Sequence, residues 1–275
     1  MAIRFDLFRI SLLKKHNPTL FALSETREQF IRRVFSSRWN FSHYKNDFYY
    51  VPIPNKKETI IGKIGREVEL EYNVSPSEGF HKQSMPAWRA STIVVDPTSH
   101  LDGQKLAMEQ INTVGRSSSI INKMCTHINK TDNGLYEIEI NPILTEGAFY
   151  DFASAQKTPI SFLSITFTPP NGLWTSASST KDEVKAVAEK TYATKVKTAI
   201  SNPKGLNIDS EGVKEAISYA ESGSGTIQAR TTGGATFNSQ SKQKIVTLAE
   251  DDRLSESDVE AIATSNSNII LGQAP

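Results

Sequence analysis

Cysteine is almost missing from this chain: Cys125 stands alone among 275 residues. An internal disulfide framework is therefore excluded, and a reducing interior is the natural setting. Long apolar runs are missing too, and nothing approaches the roughly 20 consecutive residues that span a bilayer. The opening MAIRFDLFRISLL is charged within its first few residues and has no small-residue cleavage site, so no signal peptide is expected. These absences predict a soluble, cytoplasmic protein. Catalytic signatures are lacking as well. There is no GxSxG, no GxxxxGK[ST], and no GxGxxG after a strand. The five histidines (His16, His43, His81, His100 and His127) are scattered, with no HExxH. A zinc site is not expected, nor is any cofactor or catalytic residue. No internal repeat of solenoid period is present.

What is present is an uneven charge distribution. The net charge of +1 hides a tail, residues 249–275, with one Arg against six acids. The other 248 residues hold 30 basic and 24 acidic groups, a surplus of six, and residues 1–50 alone have nine Lys and Arg against four acids. A basic body with an acidic tail is one pattern found with nucleic-acid partners.

At 38 % apolar and 22 % charged residues, the chain can bury a core and is not a disordered sequence. Its organising stretch runs from Trp88 to Ile143. Ser91 to Val95 is a β-branched run stopped by Asp96-Pro97, a buried strand. Asp102-Gly103 opens an expected helix with Ala107, Ile111 and Val114 at helical spacing, closed by Gly115. A second helix follows, capped by Ser117 or Ser118, with Ile120, Ile121, Met124 and Ile128 on one face. Tyr136 to Ile140 alternates into a strand with Glu137 and Glu139 outward.

Before this stretch, Ile3–Leu13 reads as a strand ended by Asn17-Pro18. Thr26–Phe35 reads as a helix with Phe30, Ile31 and Val34 inward. Phe48–Ile53, Thr59–Ile64 and Glu67–Tyr72 form a meander turning at Asn55-Lys56-Lys57, and Ser75–Pro86 reads as a polar loop. After it come a strand at Ile160–Thr168 ending in Pro169-Pro170-Asn171-Gly172, and a helix at Lys181–Lys190, capped within Ser176–Thr180, with Val184, Val187 and Ala188 inward. From Tyr192 to Ile200 a period of two fits better than a helix. A helix capped by Asp209 or Ser210 and running to about Glu221, strands at Thr226–Thr232 and Lys242–Ala249, a helix at Ser255–Thr264 and a frayed end at Ser265–Pro275 complete the chain. The class is α+β: a β-rich N-terminal part with a central helical pair, then an alternating β/α part. The expected domains are residues 1–150 and 151–250, with an acidic helix and tail over 251–275.

Two basic constellations emerge. In Arg27–Tyr50, the cations Arg32, Arg33, Arg38 and Lys45 alternate with Phe35, Trp39, Phe41, Tyr44 and Phe48. Cations neutralise phosphates and aromatic faces stack on bases, although the same aromatics also suit a core around a helix–strand corner. The second set is non-local: Lys195 and Lys197 on one strand, Lys204 in its turn, Arg230 on the next, and Lys242 and Lys244 beyond a glycine loop. If these strands are neighbours, the cations share a face, and Gly233, Gly234 and Ser239 let backbone approach a phosphate. Solvated strand faces would look the same. A third arrangement, Asp96 with Glu137 and Glu139, would allow a Mg²⁺-dependent nuclease, but no Lys stands beside the last acid. The helices around Gly115 do not match a helix-turn-helix, because Ile111 stands where a small residue is needed.

From about residue 45 to 240 the layout resembles that of the RexA-like DNA-binding proteins of phage exclusion and anti-phage defence. The likeness rests on the Tyr49-Tyr-Val-Pro-Ile53 strand, Thr92-Ile-Val-Val-Asp-Pro97 and Glu137-Ile-Glu-Ile-Asn-Pro142. Leu163-Ser-Ile-Thr-Phe-Thr-Pro-Pro170, the Lys-rich helix, the Asn202-Pro203 break and the late Gly-rich basic strand continue it. This chain is less basic, and its acidic tail has no counterpart there. The resemblance implies sequence-tolerant binding of double-stranded DNA, a homodimer, and a second defence-system protein, membrane-bound or effector, as partner. It carries no catalytic residues. The alternatives for this chain are the Mg²⁺ nuclease effector and a protein-only assembly subunit that docks through residues 250–275.

Overall fold

In the computed structural model, residues 2–15, 25–54, 58–100, 103–169, 179–248 and 258–272 are described. The expected turns at Asn17-Pro18, 55–57 and 170–172, the cap before residue 179 and the acidic run 249–257 lie outside them.

Strand β1 (Ile3–Lys14) organises the first sheet. Its residues Phe5 to Leu12 are all buried, so apolar side chains face both ways and both edges are paired. On one edge lies β6 (Lys105–Glu109). The other edge holds β12 (Ile245–Leu248) along its first residues and β7 (Tyr136–Pro142) along its second half. A strand of twelve residues is about 40 Å long, enough to carry two short partners end to end. Beyond β6 the sheet continues through β5 (Lys82–Val95), β4 (Ile60–Asn73), β3 (Asn46–Ile53) and β2 (Trp39–His43), every pair antiparallel. β2 and β3 join through Tyr44 and Lys45, both at positive φ, the geometry of a two-residue hairpin turn. At Gly62 of β4 a Cβ would lie 2.5 Å from the ring of Tyr50, so only glycine leaves that ring its place.

Two helices close one face of this sheet. α1 (Arg27–Phe35) starts with a full capping box, Thr26 accepting from the Gln29 N–H and Gln29 answering at the Thr26 N–H. α2 (Ser117–Thr131) buries Ile120, Ile121, Met124, Cys125 and Ile128. Both pack over Phe8, Ile10, Leu12, Ile64, Ile93 and Met108. Burial pushes the Cys125 thiol well above its ordinary pKa, with a smaller push from Glu139, so it is an inert core residue.

The chain's last described segment covers the opposite face. α6 (Asp258–Ser265) and α7 (Ser267–Ile270) set Ala263, Ile270 and Leu271 against Phe5, Leu7, Ile61, Val94 and Ala107. Within the expected frayed end, Ser267, Ile270 and Leu271 are thus buried. No helix among the described residues is long and apolar enough to cross a membrane.

A second sheet, in the order β11–β10–β8–β9, is built from β8 (Ile160–Phe167), β9 (Val196–Ser201), β10 (Gly225–Thr231) and β11 (Thr236–Asn238). Three helices line its inner face: α3 (Ala148–Ala155), α4 (Ser179–Thr191) and α5 (Glu211–Tyr219), through Phe149, Val184 and Ile217. The class is α+β, strand-rich first and alternating later.

Three local expectations fail for physical reasons. The first helix of the central pair is absent: Lys105–Glu109 is β6, buried at every position between β5 and β1. A strand covered on both faces loses its period of two and mimics a short helical stripe. Residues 82–86, expected within a loop, extend β5, so β4 and β5 form one long hairpin arm. Finally, the strand after α4 begins at Val196, while Tyr192 at positive φ ends the helix in solvent. Val187, expected inward on α4, is exposed as well.

Candidate nucleic-acid interface

Alternation along β8 sorts its side chains. Leu163, Ile165 and Phe167 join the core, leaving Phe162, Ser164 and Thr166 on the outer face. Register extends this face across the sheet. Lys197 pairs with Thr166, and Thr166 with Thr226. Ala199, Ser164, Gln228 and Asn238 form the next row, then Ser201, Phe162, Arg230 and Thr236. These eleven positions include two cations and no acid; seven are exposed, three are intermediate, and Ser164 alone is buried.

A bulge shifts the register beyond Arg230, where Phe162 and then Ile160 face successive residues of β10. Bulges re-aim side chains, and here the Arg230 guanidinium stands 6.0 Å over the Phe162 ring. A groove of about 400 Å³ runs beside this pair, bordered by Gln228, Thr236 and Asn238. Lys204 follows in the turn after β9, where its N–H donates to Asn202 Oδ1 and the Asn202 N–H to the Ser161 carbonyl. Lys197 and Arg230 sit on one face, four residues apart along β8 and two strands apart across it, roughly 16 Å by strand geometry.

The remaining sequence-predicted cations go elsewhere. Lys195 forms an ion pair with Glu139 of β7 at 2.6 Å. Lys244 borders a cavity where the two sheets meet, and the main chain of Lys242 bonds to Thr145. Arg32 Nε donates to Glu28 at 2.9 Å and its Nη1 to the Glu58 carbonyl at 2.9 Å. Arg33 is held by Glu25 at 2.7 Å and by both oxygens of Asp132. The hydrogen bonds it donates to Asp132 and Glu25 raise its already high pKa. Burial disfavours the Asp132 carboxylate, but Arg33 and the Gly134 N–H outweigh this and hold it below the usual range. Arg38 and Lys45 are exposed, at the far edge of the first sheet. That edge, β2, is five strand steps from β1, about 24 Å. The ten cations therefore do not line one groove; Lys197, Lys204 and Arg230 are the group brought together.

The aromatic half of the first constellation is core. Phe35, Phe41 and Phe48 are buried, Trp39 donates to the Val34 carbonyl, and of the five only Tyr44, at 82 % exposure, is exposed, its ring 4.3 Å from that of His43. The glycine loop is also occupied. The Gly233 N–H donates to Thr158 Oγ1, and the buried Ser239 hydroxyl accepts from the Ile227 N–H. Phe162 is not among the expected site residues; its signal in ISFLSITF is an aromatic alternating with Ser164 and Thr166.

The proposed carboxylate cluster does not form. Asp96 follows β5, accepting from Thr98 at 2.9 and 2.6 Å and facing His100. Glu137 and Glu139 lie on β7, three strand steps away, about 14 Å. No group of three metal-ligating side chains converges among the described residues. With the segment 105–109 a strand, no helix-turn-helix is present around Gly115. No protein-family model, curated protein or solved structure matches the chain.

Proposed function

We propose that this chain is a non-catalytic, sequence-tolerant nucleic-acid-binding component of an anti-phage defence or phage-exclusion system. Double-stranded DNA is the ligand that the RexA-like resemblance implies, and a homodimer acting with a second defence protein is the implied assembly. The observation that supports it is the outer face of the second sheet, which is free of acids and carries Lys197, Arg230 and Phe162 with amide side chains between them. Cations on such a face meet phosphates, and Gln228 and Asn238 offer hydrogen bonds without reading a unique base pattern. Phe162 adds an aromatic surface on which an unpaired base can stack, so single strands compete with duplex for the same face.

The test is fluorescence anisotropy with a labelled duplex and the matching single strand at low salt. Arg230→Glu is expected to weaken both at least tenfold, and Phe162→Ala to weaken the single strand more than the duplex. Absence of binding to either ligand at micromolar protein, or an unchanged affinity in Arg230→Glu, overturns the reading.

The protein-only assembly reading has one observation of its own. The arm of β4 and β5 leaves Trp88 61 % exposed against Tyr49, with Met85 and Phe80 nearer its tip. Exposed apolar side chains gathered on a projection favour a protein partner. The docking role foreseen for residues 250–275 does not extend to Ile270 and Leu271, which are core. Replacing Trp88 and Met85 with Ser should abolish co-purification with the partner, and unchanged co-purification overturns this reading.

A further inference from the structure

The arm of β4 and β5 runs on past the strands beside it. β3 pairs with β4 only from Ile61 to Arg66, so the edge of β4 from Glu67 to Asn73 has no strand against it among the described residues. That stretch extends about 23 Å, and every second residue in it directs its N–H and C=O away from β5. An opening of about 730 Å³ lies between this edge and the β2–β3 turn, bordered by Lys45, Asn46 and Asp47 on one side and by Glu67, Glu69 and Leu70 on the other. Arg66, at its inner end, donates to the Thr113 carbonyl at 2.9 Å. The other edge of the arm suits a partner less, because Pro86 of β5 has no N–H to offer.

Alternation gives the free edge two unlike faces. Glu67, Glu69 and Glu71 share one, opposite Trp88, Pro86 and Ser84; Val68 and Leu70 share the other, opposite Ala87 and Met85. From Glu67 to Asn73 there are three acids and no Lys or Arg. Glu67 and Glu69 are exposed. Glu71 meets Lys82 across the arm at 3.1 Å, but both side chains are mostly in water, so an incoming cation displaces that pair at little cost. Tyr72 and Met85 are 44 % and 50 % exposed, so the apolar face is not covered by the core. A two-stranded ribbon in water is marginal, and a third strand completes it. A second copy pairing along this same edge would set glutamates against glutamates, or against Val68 and Leu70. The row of charge therefore disfavours self-pairing and selects a partner of opposite sign.

We propose that the free edge of β4 takes up an extended segment of a partner protein by strand addition, the segment carrying Lys or Arg at alternate positions with apolar residues between them. Its backbone continues the ladder, its cations meet Glu67, Glu69 and Glu71, and its apolar side chains extend the face of Val68, Leu70 and Met85. This deepens the protein-partner reading of the arm, on which it rests, and is independent of the outer face of the second sheet.

The test is anisotropy of a labelled peptide, Gly-Lys-Val-Lys-Leu-Lys-Val-Lys-Gly, titrated with the full chain at low salt. Saturable binding is expected, weakened at least tenfold by Glu67→Lys/Glu69→Lys. That variant should instead bind the peptide with Glu in place of each Lys, which the wild type does not, and this exchange of preference also shows that the variant is folded. Two further versions of the Lys peptide, N-methylated either at the Lys or at the apolar residues, keep every side chain; one should bind at least tenfold more weakly than the other, because only one set of N–H groups faces β4. No saturation of the wild type up to about 1 mM, equal affinity of the two methylated peptides, or an unchanged affinity in the double variant each overturns the proposal. So does self-association of the wild type, by analytical ultracentrifugation, that Glu67→Lys/Glu69→Lys abolishes, since the edge would then belong to a second copy. If no peptide binds while co-purification still depends on Trp88 and Met85, strand addition alone is overturned and the wider reading of the arm stands.

Discussion

Neutralising Lys197 and Arg230 together should change how nucleic-acid affinity responds to salt, not only how strong it is. Each cation that meets a phosphate releases condensed counterions, which contributes about 0.9 to the logarithmic salt slope on duplex and about 0.7 on single strands. The two side chains share one face roughly 16 Å apart, so a single bound strand or duplex can touch both. Lys197→Met/Arg230→Met therefore should lower the slope by about 1.8 on duplex or about 1.4 on single strands. Between 50 and 200 mM salt, a fourfold change, the affinity gap between wild type and variant then shrinks by about twelvefold or about sevenfold, respectively. Anisotropy titrations of one labelled oligonucleotide at both salt concentrations measure this directly. Because both residues are exposed and outside the core, the variant should keep its melting temperature. Parallel salt slopes would refute the reasoning, since they would mean that neither side chain meets a phosphate. The same double change made at Arg32 and Arg33, already paired with Glu28, Glu25 and Asp132, should leave the slope unchanged.

Three further outcomes follow from packing and pairing. Leu271→Ala removes a fully buried side chain that closes the back of the first sheet and should cost about 2–5 kcal/mol in urea denaturation; a loss below half a kcal/mol would place that segment outside the folded unit. Gly62→Ala drives a Cβ into the ring of Tyr50, whose hydroxyl donates to the Phe35 carbonyl, and should cost about 1–3 kcal/mol by the same assay. Asp132→Asn should cost about 1–2 kcal/mol at neutral pH, less than a fully buried pair because the Arg33 side chain is 43 % exposed. The folded pKa of Asp132 lies below its ordinary 3.8, so its contribution is present above that value and disappears as pH falls through the folded value. Wild-type stability should accordingly drop more steeply than the variant's in this acid range, and identical pH profiles would contradict the pairing.

Local pattern was enough for a good part of this fold. The Thr26-to-Gln29 capping box marks the start of α1, the spacing of Ile120, Ile121, Met124 and Ile128 gives the buried face of α2, and the alternation of ISFLSITF gives β8. In each case the element has one dry and one wet face, so solvent writes its period into the sequence. Segment 105–109 has neither face in water, and its identity as β6 became visible only once β5 and β1 were placed on either side of it. The chain's end is similar: Ile270 and Leu271 look like a loose tail until Phe5, Leu7 and Val94 meet them.

The candidate site divides along the same line. That Lys197 and Arg230 point outward follows from their own strands, because exposure on a strand is a local property. That Arg33 is held by Asp132, 99 residues away, and Lys195 by Glu139, does not, because pairing between distant charges depends on the packing of whole elements. Sequence by itself therefore determined the α+β class and where the cations are. Which cations remain available to a phosphate, and which are bound by carboxylates or turned into the junction between the sheets, was decided by tertiary structure alone, since only folding brings distant charges within a few ångströms of each other.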